Sequence, residues 1–167
     1  MNIQSLFKYK RWADDLLYTA LLQLPEHELG KDRPMLFGNI LALLNHIYAM
    51  DLVWHSNLTG SAHGLKTRNP DDVPIFSELR EKQIAINTWY QNYTTTIQNR
   101  ELEEPVYFTF IGGGKSDMQK GEILQHVVNH DSYHRGHIEG VMYQISAEPP
   151  TTDIPVFLRE IQSTGQR

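Results

Sequence analysis

Apolar residues recur at steps of three and four from the start of the chain: Leu6, Tyr9, Trp12 or Ala13, Leu16, Leu17, Ala20, Leu21 and Leu24. That spacing predicts one amphipathic helix over the first 24 residues. Pro25 ends it, and Gly30 and Pro34 break up the polar stretch that follows. A second helix is predicted from about Leu36 to Leu58, where Ile40, Leu43, Leu44, Ile47, Met50, Trp54 and Leu58 keep the period. Residues 59–74, dense in Gly, Pro, Asn and Asp, read as the longest loop. A third helix covers roughly 75–100 with a looser stripe through Phe76, Leu79, Ile84 or Gln83, Ile86, Trp89 or Tyr90, Tyr93 and Ile97. Val106 to Ile111 is β-prone and three glycines follow, which fits a small irregular hairpin lidding one end of a bundle. The fourth helix opens near Lys120 and runs to about Ala147, where Pro149 and Pro150 stop it. IPVFLREIQ makes a short last helix, with Thr151 or Thr152 as its cap. The expected fold class is all-α: a four-helix bundle with a short fifth helix and a hairpin, forming one domain over residues 1–167.

Composition narrows the function. Lys and Arg number 15 against 20 Asp and Glu, a net charge of −5, and the basic residues are scattered, so a sequence-independent grip on nucleic acid is not expected. No run approaches the ~18 apolar residues of a membrane span, and the N-terminus does not read as a secretion signal. The expectation is a cytoplasmic protein without nucleic-acid or membrane partners. The absence of cysteine removes disulfides, thiolate ligands and a cysteine nucleophile together.

Histidine is the unusual residue. There are eight, and four of them (His126, His130, His134 and His137) fall within one stretch of helix four. At about 100° per residue, with His126 as zero, His137, His130 and His134 lie near 20°, 40° and 80°, so all four share one face. Ile123, Val127, Ile138, Val141 and Ile145 fall between about 60° and 120° on that scale. His134 therefore sits in the core-facing stripe, His130 beside it, and His126 and His137 at its border. A buried neutral imidazole is costly unless its ring nitrogens find partners. Two at i and i+4 solve this by sharing a metal ion. His46 on helix two is the best candidate for a third ligand, since Leu43, Met50 and Val53 are its helical neighbours. Asp51 shares a face with Leu44 and Ile47, where it is placed to accept the second N–H of a ligating imidazole. His126 and His137 are candidates for the same supporting role, for substrate contact, or for exposure at a pocket mouth. His27, His55 and His63 are expected at the surface.

Three neutral imidazoles leave the charge of Zn²⁺ or Ni²⁺ uncompensated and at least one coordination position open, the arrangement of a catalytic site. Such an ion lowers the pKa of water or an incoming thiol toward neutrality. No HExxH glutamate is present, which leaves Asp51, Glu139 and His126 as acid–base candidates, and Arg135 as a residue to steer an anionic substrate.

Three separated segments carry a family resemblance: LFKYKRWADDLLYTALLQLPEHEL, GNILALLNHIYAMDLVW and ILQHVVNHDSYHRGHIEGVM. Together they resemble the DinB/YfiT-like family of metal-binding four-helix bundles, and TDIPVFLRE is similar to its C-terminal part. The family's metal ligands, carried over position by position, fall on His46, His130 and His134. The resemblance implies an up-down-down-up bundle, often a homodimer, binding a divalent metal such as nickel or zinc. It also implies, for some relatives, activation of a low-molecular-weight thiol for S-transfer or isomerisation, whereas the DinB branch is named for induction by DNA damage. The sequence departs from the common motif at His137, where glutamine is frequent, and at Tyr133, where histidine is frequent. The competing expectation is a non-catalytic stress-response bundle in which metal or histidines serve structure or dimerisation only.

Overall fold

A computed structural model describes residues 1–163. Its elements are α1 (Ile3–Leu21), α2 (Glu26–Gly30), α3 (Ile40–Thr59), α4 (Phe76–Thr96), a 3₁₀ turn (Asn99–Glu103), β1 (Pro105–Thr109), β2 (Lys115–Gln119), α5 (Lys120–Gln144) and α6 (Ile154–Ser163). The four long helices and the hairpin match the expected architecture, and the ends differ for local reasons. Asn39 caps α3 by accepting from the Ala42 N–H at 2.8 Å, so this helix begins four residues later than predicted. Just before it the chain turns through positive φ at both Phe37 (61°) and Gly38 (83°). Residues 22–24 leave α1 through tightened turns onto Pro25, and the short α2 that follows has no counterpart in the predicted pattern. α5 ends at Gln144, ahead of a positive φ at Ser146. Thr152 does not cap α6: its hydroxyl donates to Glu139 at 2.9 Å, while the first turn closes on the Asp153 carbonyl.

Side-chain pairs fix the directions. Phe7 stacks on Tyr90 and Tyr18 on Phe76, so α1 and α4 are antiparallel. Trp54 meets His126 and His46 meets His134, so α3 and α5 are antiparallel. Tyr9 and Lys10 on α1 reach Arg135 and Asp131, while Leu17 and Leu21 share a cluster with Ile138 and Val141, which makes α1 and α5 parallel. The order is up-down-down-up, with the long 60–75 connection joining parallel helices α3 and α4.

The core has two apolar ends and a polar waist. One cluster contains Phe7, Trp54, Tyr90, Phe108 and Ile123; the other contains Leu17, Leu21, Leu43, Leu79, Ile138 and Val141. Each long helix places buried polar residues where these two sets meet: Lys10 and Asp14, His46 and Asp51, Gln83 and Asn87, and Asp131, His134 and Arg135. Lys10 is the hub. Its Nζ lies 2.9 Å from Asp14, 3.0 Å from Asp51, 3.4 Å from Asp131 and 2.8 Å from the Asn87 Oδ1. Burial pulls the Lys10 pKa down, but Asp131, Asp14 and Asp51 outweigh it and hold the pKa well above its ordinary value. Arg135 answers Asp131 at 2.6 Å and donates to the Tyr9 hydroxyl, which in turn donates to the Thr152 carbonyl and ties the C-terminal segment to the bundle. Three buried carboxylates face two cations. Burial, with Asp131 nearby, accordingly pushes Asp14 up to about 6.

Candidate metal centre

His46 projects from α3, and His130 and His134 from successive turns of α5, into the polar waist. The two α5 histidines share a face because they are four residues apart, and the antiparallel packing of α3 brings His46 opposite them. The His130 Nε2 lies 3.2 Å from the His46 Nε2 and 3.1 Å from the His134 Nε2. Candidate ligand atoms of the three residues all lie within 4.8 Å of one another.

The loop after α3 sets the tautomer of His46. Its Nδ1 faces two acceptors, the Asn69 Oδ1 at 2.7 Å and the Arg68 carbonyl at 3.1 Å, so Nδ1 carries the proton and Nε2 presents a lone pair to the cluster. The loop is itself held by Asn45, whose side-chain amide donates to the Pro70 carbonyl. The second proton is disfavoured on all three rings, which favours their neutral form. Burial, followed by the proximity of His134, His46 and His126, lowers His130 to about 3. Burial, with His46 and His137, lowers His134 to about 4. His46 is lowered by burial against the raising effect of its two hydrogen bonds, and the Arg68 charge adds to the lowering.

This donor set fits a divalent cation. Three neutral imidazoles with nitrogens converging on one point cannot satisfy each other, because a lone pair facing a lone pair is repulsive and His130 Nε2 has at most one proton to share. A tetrahedral ion with metal–nitrogen bonds of about 2.0–2.1 Å would space its ligand nitrogens about 3.3 Å apart, close to the two contacts present. All three donors are imidazole, which suits zinc, nickel, copper and iron alike.

The remaining expectations divide. Asp51 does not support an imidazole: its carboxylate is taken by Lys10 and by the Gln83 amide at 2.8 Å. Asn69 and the Arg68 carbonyl take that role for His46, from a loop that carries no periodic signal. Arg135 is 3% exposed and locked to Asp131, so it meets no substrate from solution. Glu139 accepts from Thr152 and lies outside the cavity lining. His126 lines the cavity, its ring edge-on to Trp54. His137 stands apart, against Tyr133 and His134. His55 is half-buried against Trp89 rather than free at the surface, and His63 is half-buried with its Nδ1 accepting from the Leu65 N–H.

The histidines open into a cavity of about 550 Å³. Its walls come from α3 (Met50, Val53, Trp54, Asn57), α5 (His126), the 60–75 loop (Arg68, Asn69), Phe37 and the hairpin (Phe108 to Ile111). The hairpin reaches this position because β1 alternates: Val106 and Phe108 point inward and Tyr107 outward, while glycines 112–114, all at positive φ, turn the chain. Phe37 holds its left-handed backbone with its ring centroid 4.4 Å from that of His46. Such a conformation costs a non-glycine residue about 1–3 kcal/mol, and local strain of this kind concentrates at functional sites.

Protein DinB of Bacillus subtilis (strain 168) is 27% identical over 158 residues, covering 92% of this chain and 91% of the relative. The crystal structure of a DinB-like protein from Bacillus cereus ATCC 10987 shares the fold, with a TM-score of 0.69 and 17% identity over 89% of this chain and 93% of that one. The DinB family model matches residues 1–164, and the chain belongs to the DinB family.

Proposed function

We propose that this protein is a metal-dependent enzyme that uses His46, His130 and His134 to hold one divalent ion, nickel or zinc, and acts on a thiol or water in S-transfer, isomerisation or hydrolysis. The observation that carries this reading is the position of three converging imidazoles at the wall of a substrate-sized cavity. The ion would supply Lewis acidity, lowering the pKa of a thiol or water beside it. The chain supplies the rest. Asn69 and the Arg68 carbonyl orient His46, the hairpin and Phe37 restrict water, and His126 offers a ring on the cavity wall for proton transfer. Burial lowers the His126 pKa, so at neutral pH this ring is a base. A low-molecular-weight thiol fits the cavity volume, which lies within the ~300–1,000 Å³ typical of ligand sites.

A second reading has its own support: the three histidines bridge α3 and α5, so a metal there would staple two helices. Elemental analysis of untagged protein beside His130→Ala tests the common premise. About one divalent ion per chain, lost in the variant, is expected; its retention in His130→Ala refutes the site. Metal-dependent turnover of thiol or ester substrates then separates enzyme from staple. A rise in melting temperature with no turnover favours the staple.

A further inference from the structure

The described lining of the cavity carries no carboxylate in a protein of net negative charge. The chain carries a net charge of −5, yet among the described residues no Asp or Glu lines this cavity, and Arg68 is its one arginine or lysine. Arg68 combines a pinned backbone with an uncommitted side chain. Its carbonyl accepts from His46, which fixes the residue at the cavity, while the residue as a whole is exposed. Asn45 holds the same loop through Pro70. The same cavity has an aromatic wall: Trp54 and Phe108 meet edge to face at 5.1 Å, and Phe110 packs on Phe108 at the same distance. Phe110 is nevertheless half in solvent, so the aromatic wall extends to the cavity mouth.

We propose that this cavity selects a small carboxylate with an apolar, aromatic-sized body, and that Arg68 reads the carboxylate while the Trp54–Phe108–Phe110 wall takes the body. The proposal rests on the reading of the cavity as a substrate site and names its substrate class. The physical grounds are general. A guanidinium presents two parallel N–H donors that match a carboxylate, and a low-polarity wall beside it strengthens the pairing. An aromatic surface of this size gains from covering a flat apolar group. The two features lie in one cavity, so a ligand carrying both groups uses both, and one carrying a single group uses half the site.

The test is calorimetric titration of the full-length, zinc-loaded protein with phenylacetate and with its neutral isostere phenylacetamide, in wild type, Arg68→Gln and Arg68→Lys. Zinc content is measured on each sample, and the series is repeated after removal of metal with EDTA. Wild type is expected to prefer phenylacetate. Arg68→Gln should weaken phenylacetate about tenfold and leave phenylacetamide unchanged. Arg68→Lys, which keeps the charge and loses the fork, should fall between. Equal binding of the two probes by wild type, or no binding of either, overturns the proposal. So does a phenylacetate preference that survives Arg68→Gln and disappears with the metal, since the anion would then be on the ion. If no zinc is taken up but the Arg68-dependent preference persists, the metal reading fails and the carboxylate site stands.

Discussion

Lys10→Met should be among the most destabilising single substitutions in this protein. The lysine is fully buried and its ammonium is shared by Asp14, Asp51 and Asp131 within 3.4 Å. Methionine matches its volume and removes only the charge and the donors. Arg135 would then be the one cation left to three buried carboxylates, placed 2.6 Å from Asp131 but 3.9 Å from Asp14. Asp51 would keep the Gln83 amide and lose its ion pair. Breaking a buried pair by deleting one partner costs about 3–5 kcal/mol, because the other partner's desolvation goes uncompensated. With a urea m-value of about 2 kcal/mol/M, the unfolding midpoint should fall by about 1.5–2.5 M. The assay is tryptophan fluorescence against urea at pH 7, in chelator so that metal binding does not mask the change. Adding Asp51→Asn to Lys10→Met should recover part of the loss, since it removes one orphaned charge. A midpoint shift below about 0.5 M would refute the reasoning, because the carboxylates would then have to be protonated or hydrated in the folded protein.

Other outcomes follow from the same geometry. Folded-state pKa values of about 3 for His130 and about 4 for His134 mean that, as pH falls from 6.5 toward 4, the unfolded metal-free chain takes up protons the folded one refuses. Its stability should therefore decline over that window, as acid titration of the chelated protein would read, and bound metal should be released over the same range. Asp14 acts in the opposite sense: its folded pKa of about 6 exceeds the unfolded 3.8, so its contribution is present below 3.8 and lost as pH rises through 6. Asp14→Asn should steepen the histidine-driven rise by up to about 1.4 kcal/mol per pH unit between 4 and 6, measured by urea midpoints. Asn69→Ala leaves only the Arg68 carbonyl on His46 and should weaken zinc about tenfold in competition with a chromophoric chelator; unchanged affinity would show that the carbonyl suffices. Phe108→Ala should cost about 3 kcal/mol in chemical denaturation, since this ring closes the apolar end of the core and one wall of the cavity at once.

The four long helices were legible because each has an apolar stripe wide enough to register as a period, and Pro25, Pro149 and Pro150 interrupt it where the chain must turn. The convergence of His130 and His134 was legible for the same reason, since residues four apart on a helix share a face whatever they pack against. The apolar neighbours of His46 turn it inward, and the antiparallel crossing of α3 and α5 brings it opposite the pair. Asp51 shows where periodicity stops being informative. The pattern places it on the buried face and points to a histidine partner, whereas Lys10, 41 positions earlier, occupies its carboxylate. Lys10, Asp14 and Asn87 each look like ordinary helix-surface residues until four helices stack their polar turns at one height.

Local sequence thus determined the helices, the hairpin and the histidine face, because those depend on contacts within a few residues along the chain. The tertiary structure alone decided the polar waist, the loop that orients His46, and the choice of Arg68 rather than Arg135 as the cavity's cation. The physical reason is that a charged side chain carries no periodic signal of its own. Whether it is buried, paired or free depends on which distant groups the packing of the helices brings within a few ångströms, and only the assembled bundle specifies that.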